Sequence, residues 1–279
     1  MKLCDWLYKS FSKLKKNNIN KNDIIYLLSC ILNKPQYWIF IFPNKILKKK
    51  QIIKLNYALE RRINQEPIPY ITNFKYFWSL KLYINKYVFI PRMDTEILIN
   101  ILFSYVKHSD KKKILDLGTG SGAIALAIAK NRSKCSVIGI DICKFAIKVA
   151  KKNAVNLNIK NVRFFLSNWF SNIGKKRFDI IVSNPPYIGI HEKKMLQQDV
   201  FFEPTRALFS NNKGMQDIEH IIQYSPNYLY PNGWIIIEHG WKQKILVQNQ
   251  LLLNNFVNLL TVCDNNGIDR VTIGQYTKN

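Results

Sequence analysis

The chain predicts an α/β fold: a doubly wound, mostly parallel sheet, preceded by a small helical domain and a β-hairpin linker. Three observations carry this. From Ile97 onward short apolar strands alternate with helical runs, the pattern left by helices crossing over between parallel strands. Residues 1–72 instead space their apolar side chains at helical intervals, and the stretch Phe74–Ile90 between the two switches to a period near two. With 279 residues, 47% of them hydrophobic and 13% aromatic, the chain has ample material for a buried core. A disordered tail or a disulfide-stapled miniprotein is excluded.

Taken in order, Ile24, Leu27, Leu28, Ile31 and Leu32 form one helical face that Asn22 or Asp23 is placed to cap. Lys48–Asn64 sets Ile52, Leu55, Leu59 and Ile63 on another face and stops before Pro67 and Pro69. Phe77, Leu80, Leu82, Ile84 and Val88 read as two short strands around a turn near Asn85. Strands are then expected at Lys113–Leu117, Ser136–Ile140, Val162–Leu166, Phe178–Val182, Trp234–Glu238 and Val271–Tyr276. Ile124–Lys130 and Lys144–Asn156 are helices between them. This divides the chain into a helical domain at 1–72, a hairpin linker at 73–92 and an α/β domain at 93–279.

Composition narrows the function classes. No apolar run approaches the roughly 18 residues of a membrane span, and Met1–Leu14 carries Asp5 and no secretory pattern. A cytoplasmic location is the expectation. Five cysteines without a CxxC pair and only four histidines argue for reduced thiols packed as small hydrophobes, and for no metal site. The net charge of +24 would suit an anionic partner. However, Lys supplies 34 of the 42 basic residues and Arg only 8, and no Arg cluster or RNA-binding signature accompanies the charge. Direct nucleic-acid contact is allowed but not required, and a monomer is expected.

In a doubly wound sheet the ligand sits at the carboxyl ends of the strands, so the loops there carry the chemistry. The first is Asp116-Leu117-Gly118-Thr119-Gly120-Ser121-Gly122. Its glycines permit a sharp turn and bring backbone N–H groups near a ligand at a helix start. The G-x-G-x-G spacing is neither the dinucleotide fingerprint nor a P-loop, which leaves mononucleotide-like ligands, above all S-adenosylmethionine. Asp141 ends the next strand, where its carboxylate suits two ribose hydroxyls; it can also cap the following helix. Ser167-Asn168-Trp169-Phe170 brings an amide and a ring to the place of the adenine, although Trp169 also suits the core.

The fourth strand ends in Asn184-Pro185-Pro186-Tyr187. Two prolines stiffen the loop and remove its N–H donors, so it presents acceptors. Asn184 Oδ1 and the Pro185 carbonyl can each take one hydrogen of an –NH2 group while the Tyr187 ring covers a flat face. The substrate is then a planar conjugated amine: adenine, cytosine, guanine or a glutamine side chain. His191 and Glu192 read as solvent-facing.

With these residues placed, the chain resembles the bacterial release factor glutamine methyltransferases, the PrmC or HemK family, over nearly its full length. The resemblance rests on Pro91-Arg92-Met93-Asp94-Thr95-Glu96, the glycine loop, Asn184-Pro185-Pro186-Tyr187-Ile188, Phe202-Glu203-Pro204 with Ala207-Leu208, Glu238-His239-Gly240 and Asp264–Arg270. It implies a Rossmann-like class I methyltransferase domain, an N-terminal domain that grips the release factor, and S-adenosylmethionine as methyl donor. It also implies methylation of the N5 amide of the glutamine in the Gly-Gly-Gln loop of class 1 release factors. By position, Gly118, Thr119, Gly120, Ser121, Gly122, Asp141, Trp169 and Asn184 would hold the cofactor, and Asn184, Pro185, Pro186 and Tyr187 the glutamine.

Three positions depart from the family pattern. Met93 stands for the second proline of Pro-Arg-Pro-Asp-Thr-Glu, Asn73 for a turn glycine, and Asn168 for an acidic residue. Asn tolerates a left-handed turn, whereas Asn168 forgoes a charge-assisted bond to an adenine amine. Two other functions fit parts of the pattern: an amino-methyltransferase of DNA or RNA, which shares the acceptor loop, and a non-catalytic ribosome- or RNA-binding scaffold. The absence of a target-recognition domain in the sequence weighs against the first, and the intact glycine, Asp141 and acceptor loops against the second.

Overall fold

The computed structural model describes residues 1–14 and 19–277. The described chain divides into two compact units, Met1–Phe74 with Gln197–Phe202, and Lys75–Leu196 with Glu203–Asn279. In the first lie α1 (Leu3–Leu14), α2 (Lys21–Leu32), α3 (Gln36–Ile41), α4 (Lys49–Ile63) and α5 (Ile68–Thr72). Their apolar faces meet in a core of Leu3, Trp6, Ile24, Leu27, Leu28, Leu55 and Leu59. The cap of α2 is Asn20, which accepts the Asn22 N–H at 2.9 Å. Neither Asn22 nor Asp23 caps it. Asp23 lies in the first turn instead and pairs with Arg62 Nε at 2.8 Å.

The hairpin differs from expectation. Its strands are β1 (Phe74–Phe77) and β2 (Leu80–Tyr83), and the turn is Trp78-Ser79, with φ of 47° and 61°. Two successive positive φ values match the twist of a two-residue hairpin turn. Asn85 begins a later turn, accepting the Tyr87 N–H on its side chain and the Val88 N–H on its carbonyl. At the start of that linker, Asn73 takes the left-handed conformation, φ 59°, that its family counterpart meets with glycine.

In the second unit, α6 (Glu96–Tyr105) leads into β3 (Lys113–Leu117), α7 (Ala123–Asn131), β4 (Ser136–Asp141), α8 (Lys144–Asn156), β5 (Val162–Leu166) and β6 (Phe178–Ser183). The short pair β7 (Ile188–Gly189) and β8 (Phe209–Ser210) flanks α9 (Thr205–Leu208); α10 (Gln216–Tyr224), β9 (Leu229–Glu238), α11 (Lys244–Leu253), β10 (Phe256–Cys263) and β11 (Asp269–Tyr276) follow. The main sheet has the order β10-β11-β9-β6-β3-β4-β5. Five strands are parallel, and β11 runs antiparallel between β9 and β10. Strand order reverses at β3, flanked by β4 and β6, and this places the switch point at the loops after those strands.

The central parallel strands are buried on both faces. Ile114, Leu115, Leu117, Ile180, Ile181, Val182 and Ile235–Ile237 are at most 2% exposed, which is why they read as continuous apolar runs. Buried Asn153 of α8 ties the layers together: its amide exchanges two hydrogen bonds with the Tyr83 backbone and donates a third to the Ser121 carbonyl at 2.9 Å. The glycine loop is thereby braced from behind. Of the five cysteines, all free thiols, only Cys135 is buried as a small hydrophobe; Cys263 is exposed and the rest are half-buried.

Candidate active site

A cavity of about 590 Å³ opens at the carboxyl ends of the parallel strands, within the size range of small-ligand sites. Gly118, Thr119, Gly120, Ser121, Asp141, Trp169, Asn184, Pro185, Pro186 and Tyr187 all line it. Gly122 does not. It opens α7 beneath the loop with φ 82°, and a Cβ there would press on Leu126, Phe164 and Ala150. Its surroundings are packed protein, and nothing in G-x-G-x-G spacing separates a buried glycine from a cavity-facing one.

The cradle fits an adenosine-like group. Gly118 and Gly120 have φ of 73° and 55°, and no atom lies within 4 Å of a Cβ built on Gly120, so the loop leaves open space where a side chain would stand. The Trp169 ring lies 3.5 Å from the Cβ position of Gly118, lines the cavity and is partly buried against the core. Asp141 Oδ2 accepts the Gly120 N–H at 2.9 Å and Oδ1 the Cys143 N–H at 2.8 Å. A carboxylate has about four acceptor sites, and the Ile142 N–H also favours its charge, so room remains for a hydroxyl donor. Burial raises the Asp141 pKa, an effect opposed by those two N–H groups and by the charge of Arg206. Arg206, also on the cavity wall, carried no sequence signal.

Beneath the loop, Asp116 is fully buried, takes the Thr119 hydroxyl at 2.6 Å and the Ala125 N–H at 3.2 Å, and is pushed by burial up to about 7. The Thr119 side chain is thus committed inward. Among the described residues, no group in clusters of His, Cys, Asp and Glu could hold a metal ion.

The acceptor loop is braced from three directions. Asn184 Nδ2 donates to Thr95 Oγ1 at 3.0 Å, the Tyr187 hydroxyl donates to Glu238 Oε1 at 3.2 Å, and Gln243 Nε2 donates to the Tyr187 carbonyl at 3.0 Å. Asn184 Oδ1 and the Pro185 carbonyl receive no donor among the described residues. Asn184 and Pro185 both line the cavity, so these acceptors are open to a donor there. Burial pushes Glu238 up to about 7, partly offset by the Thr95 and Tyr187 hydroxyls and by Arg270; burial and Glu238 both raise the Tyr187 phenol. Next to it, buried His239 contacts Thr272 Oγ1 at 2.8 Å and the Gly240 carbonyl, and burial lowers its pKa. His191 is exposed, and Glu192 accepts the Gly189 N–H at 2.9 Å.

Thr95, Glu238, Gln243 and Gly214, whose Cα lies under the Tyr187 carbonyl, were not singled out as site residues by spacing. Thr95 and Glu238 fall within segments that carry the family resemblance, which was the one available signal.

Residues 108–272 match the family model described as a methyltransferase domain, and residues 5–72 match the PrmC N-terminal domain. A methyltransferase from Pyrococcus furiosus shares the fold, with a TM-score of 0.55 at 16% identity over 83% of this chain and 100% of that one. The fold and the cavity thus define a class I methyltransferase. The chain is 46% identical to the release factor glutamine methyltransferase of Buchnera aphidicola subsp. Baizongia pistaciae over 99% of both chains. It is 38% identical to that of Escherichia coli K12 over 97% of this chain and 98% of the other. It belongs to the family of release factor glutamine methyltransferases.

Proposed function

We propose that the chain transfers a methyl group from S-adenosylmethionine to the N5 amide nitrogen of the glutamine in the Gly-Gly-Gln loop of class 1 release factors. The unpartnered acceptor pair, Asn184 Oδ1 and the Pro185 carbonyl, carries this reading. Gly118, Gly120, Ser121, Asp141, Trp169 and Asn184 would hold the cofactor, which when bound supplies an electrophilic methyl carbon on its sulfonium.

An amide nitrogen is a poor nucleophile because its lone pair is delocalised into the carbonyl. Asn184 Oδ1 and the Pro185 carbonyl take one N–H each, which fixes the –NH2 rotation and favours lone-pair density directed away from both acceptors. Pro185 and Pro186 keep that corner stiff, and the Tyr187 ring, anchored through its hydroxyl on Glu238, covers the flat amide. The nitrogen, once methylated, would be an N-protonated amide, a strong acid whose proton would leave to water without a dedicated base, with S-adenosylhomocysteine as the leaving product.

Residues 1–72 would dock the release factor, with the family match to residues 5–72 and the exposed Tyr37, Phe40 and Ile41 in support. The reaction would take place in the cytoplasm on a monomer. Five free thiols agree with a reducing compartment, and no described helix is long and apolar enough to cross a membrane. The test is incubation with radiolabelled S-adenosylmethionine and a release factor, the same factor with its loop glutamine replaced, or bulk nucleic acid. Label confined to the intact factor is expected. Label on nucleic acid alone supports a base methyltransferase instead, and none anywhere a scaffold.

A further inference from the structure

Pro91–Glu96 is one of the segments that carry the family resemblance, and the mechanism above gives it no task beyond the contact of Thr95 with Asn184. Thr95 within it is 3% exposed and occupies the N-cap of α6. A threonine there ordinarily accepts an N–H of the first helical turn; this one has φ −64° and ψ −18° and makes no capping bond. Its hydroxyl meets Asn184, 89 residues away, instead. The segment that carries it is rigidly held. Buried Glu203 accepts the Ile90 N–H at 2.9 Å and pairs with Arg92, and Glu96 accepts the Trp78 N–H at 2.7 Å.

An asparagine amide flipped by half a turn fills the same space but exchanges its acceptor for a donor. At Asn184 the flipped form would set an NH2 against the substrate's own NH2. Thr95 Oγ1, by accepting from Nδ2, opposes that flip, provided its own hydrogen points elsewhere. The buried Glu238 carboxyl, whose Oε2 has no hydrogen-bond partner and whose charge the Thr95 hydroxyl favours, offers that other direction.

We propose that Thr95 is a positioning residue for methyl transfer, whose hydroxyl selects the Asn184 rotamer that presents Oδ1 to the substrate nitrogen. This rests on Asn184 being the glutamine acceptor.

The test uses the full chain in two ways. In the cofactor-free protein with labelled asparagine, NMR should show one Asn184 Nδ2 hydrogen exchanging with water at least about tenfold more slowly than in Thr95→Val, the protection expected of a buried hydrogen bond. Equal exchange in both overturns the proposal whether or not any substrate is methylated. With release factor as substrate, Thr95→Val should lower kcat about tenfold, a transition-state loss, with KM within about twofold. Thr95→Ser should restore most of it. In an Asn184→Asp background, where both oxygens accept and nothing needs orienting, Thr95→Val should cost less than about threefold. Unchanged kcat in Thr95→Val, failure of the serine variant, or an equal loss in the Asn184→Asp background each overturns the proposal. If thermal unfolding shows Thr95→Val unfolded, Thr95→Ala takes its place in every comparison. A wild-type protein that labels no release factor sinks the substrate reading, and the exchange measurement then decides Thr95 by itself.

Discussion

The Asp141 carboxylate and the Gly120 N–H meet at 2.9 Å across the gap between two strand ends, so the residue read as a ribose acceptor also clamps the glycine loop. Removing it acts twice. Asp141→Ala should raise the dissociation constant for S-adenosylhomocysteine about tenfold to a hundredfold, the worth of one or two hydrogen bonds to a charged group. Calorimetry checks this, and a shift below twofold would take Asp141 out of the cofactor site.

Asn184→Ala deletes one of two acceptors at the reacting nitrogen while leaving the glycine loop and Asp141 in place. Turnover of release factor should fall by about a hundredfold or more, and cofactor affinity by less than about tenfold. Single-turnover transfer of labelled methyl, set beside calorimetry on the same variant, separates the two effects. Normal turnover would remove Asn184 from the mechanism.

Gly214 has φ 88°, and a Cβ built on it would lie 2.0 Å from the Tyr187 carbonyl and 2.7 Å from Gln243 Nε2. Gly214→Ala must therefore displace the carbonyl end of the acceptor loop and break the Gln243 bond to it. A stability loss of about 2–3 kcal/mol is expected from strain and overpacking, together with a fall in kcat. Gly120→Ala, which meets open space, should cost only the backbone strain, about 1 kcal/mol. Denaturant melts of the two variants compare them directly.

Glu238 is 2% exposed, and burial raises its pKa from 4.5 to about 7. Between those values the folded protein keeps a proton that the unfolded chain releases, so stability falls as pH rises. The contribution is complete below pH 4.5 and is lost on passing about 7. Its size is on the order of 3 kcal/mol. Glu238→Gln, neutral at every pH, should flatten the decline in Tm between pH 5 and 8. Buried Asp116, also raised to about 7, should leave a residual slope.

The strands β3 and β6 stand where the sequence placed them because each is a short apolar run buried on both faces of the sheet. β10 escaped notice for the opposite reason. It is an edge strand whose residues are largely exposed or half-buried, and its alternation is blurred by a bulge between Val257 and Leu260. The hairpin turn differs from the sequence expectation because Trp78-Ser79 adopts positive φ without the Asn or Gly that usually marks it. Asp141 and Asn184-Pro185-Pro186-Tyr187 stand out in the sequence because they follow strand ends, and all of them line the cavity. Their supports, Thr95, Glu238, Gln243 and Gly214, come from distant segments, and only the folded chain brings them together. Sequence spacing has no means of encoding such a meeting.

Asn168 stands on the cavity wall beside Trp169 and is solvent-exposed; its backbone N–H donates to Ser171 Oγ at 3.2 Å, and its side-chain amide has no partner among the described residues. The family pattern has an acid here, and an acid would accept from an adenine amine with full charge assistance. Exposure reduces the benefit, because water competes for the same carboxylate, but it also removes the desolvation cost that weakens buried charges. Asn168→Asp should therefore bind S-adenosylhomocysteine about fivefold more tightly, a gain near ~1 kcal/mol. The gain should persist with little loss at high salt if it comes from a hydrogen bond, and vanish if it comes from long-range attraction. Calorimetry at two ionic strengths distinguishes these, and binding no tighter than the parent at either would show that Asn168 does not reach the adenine.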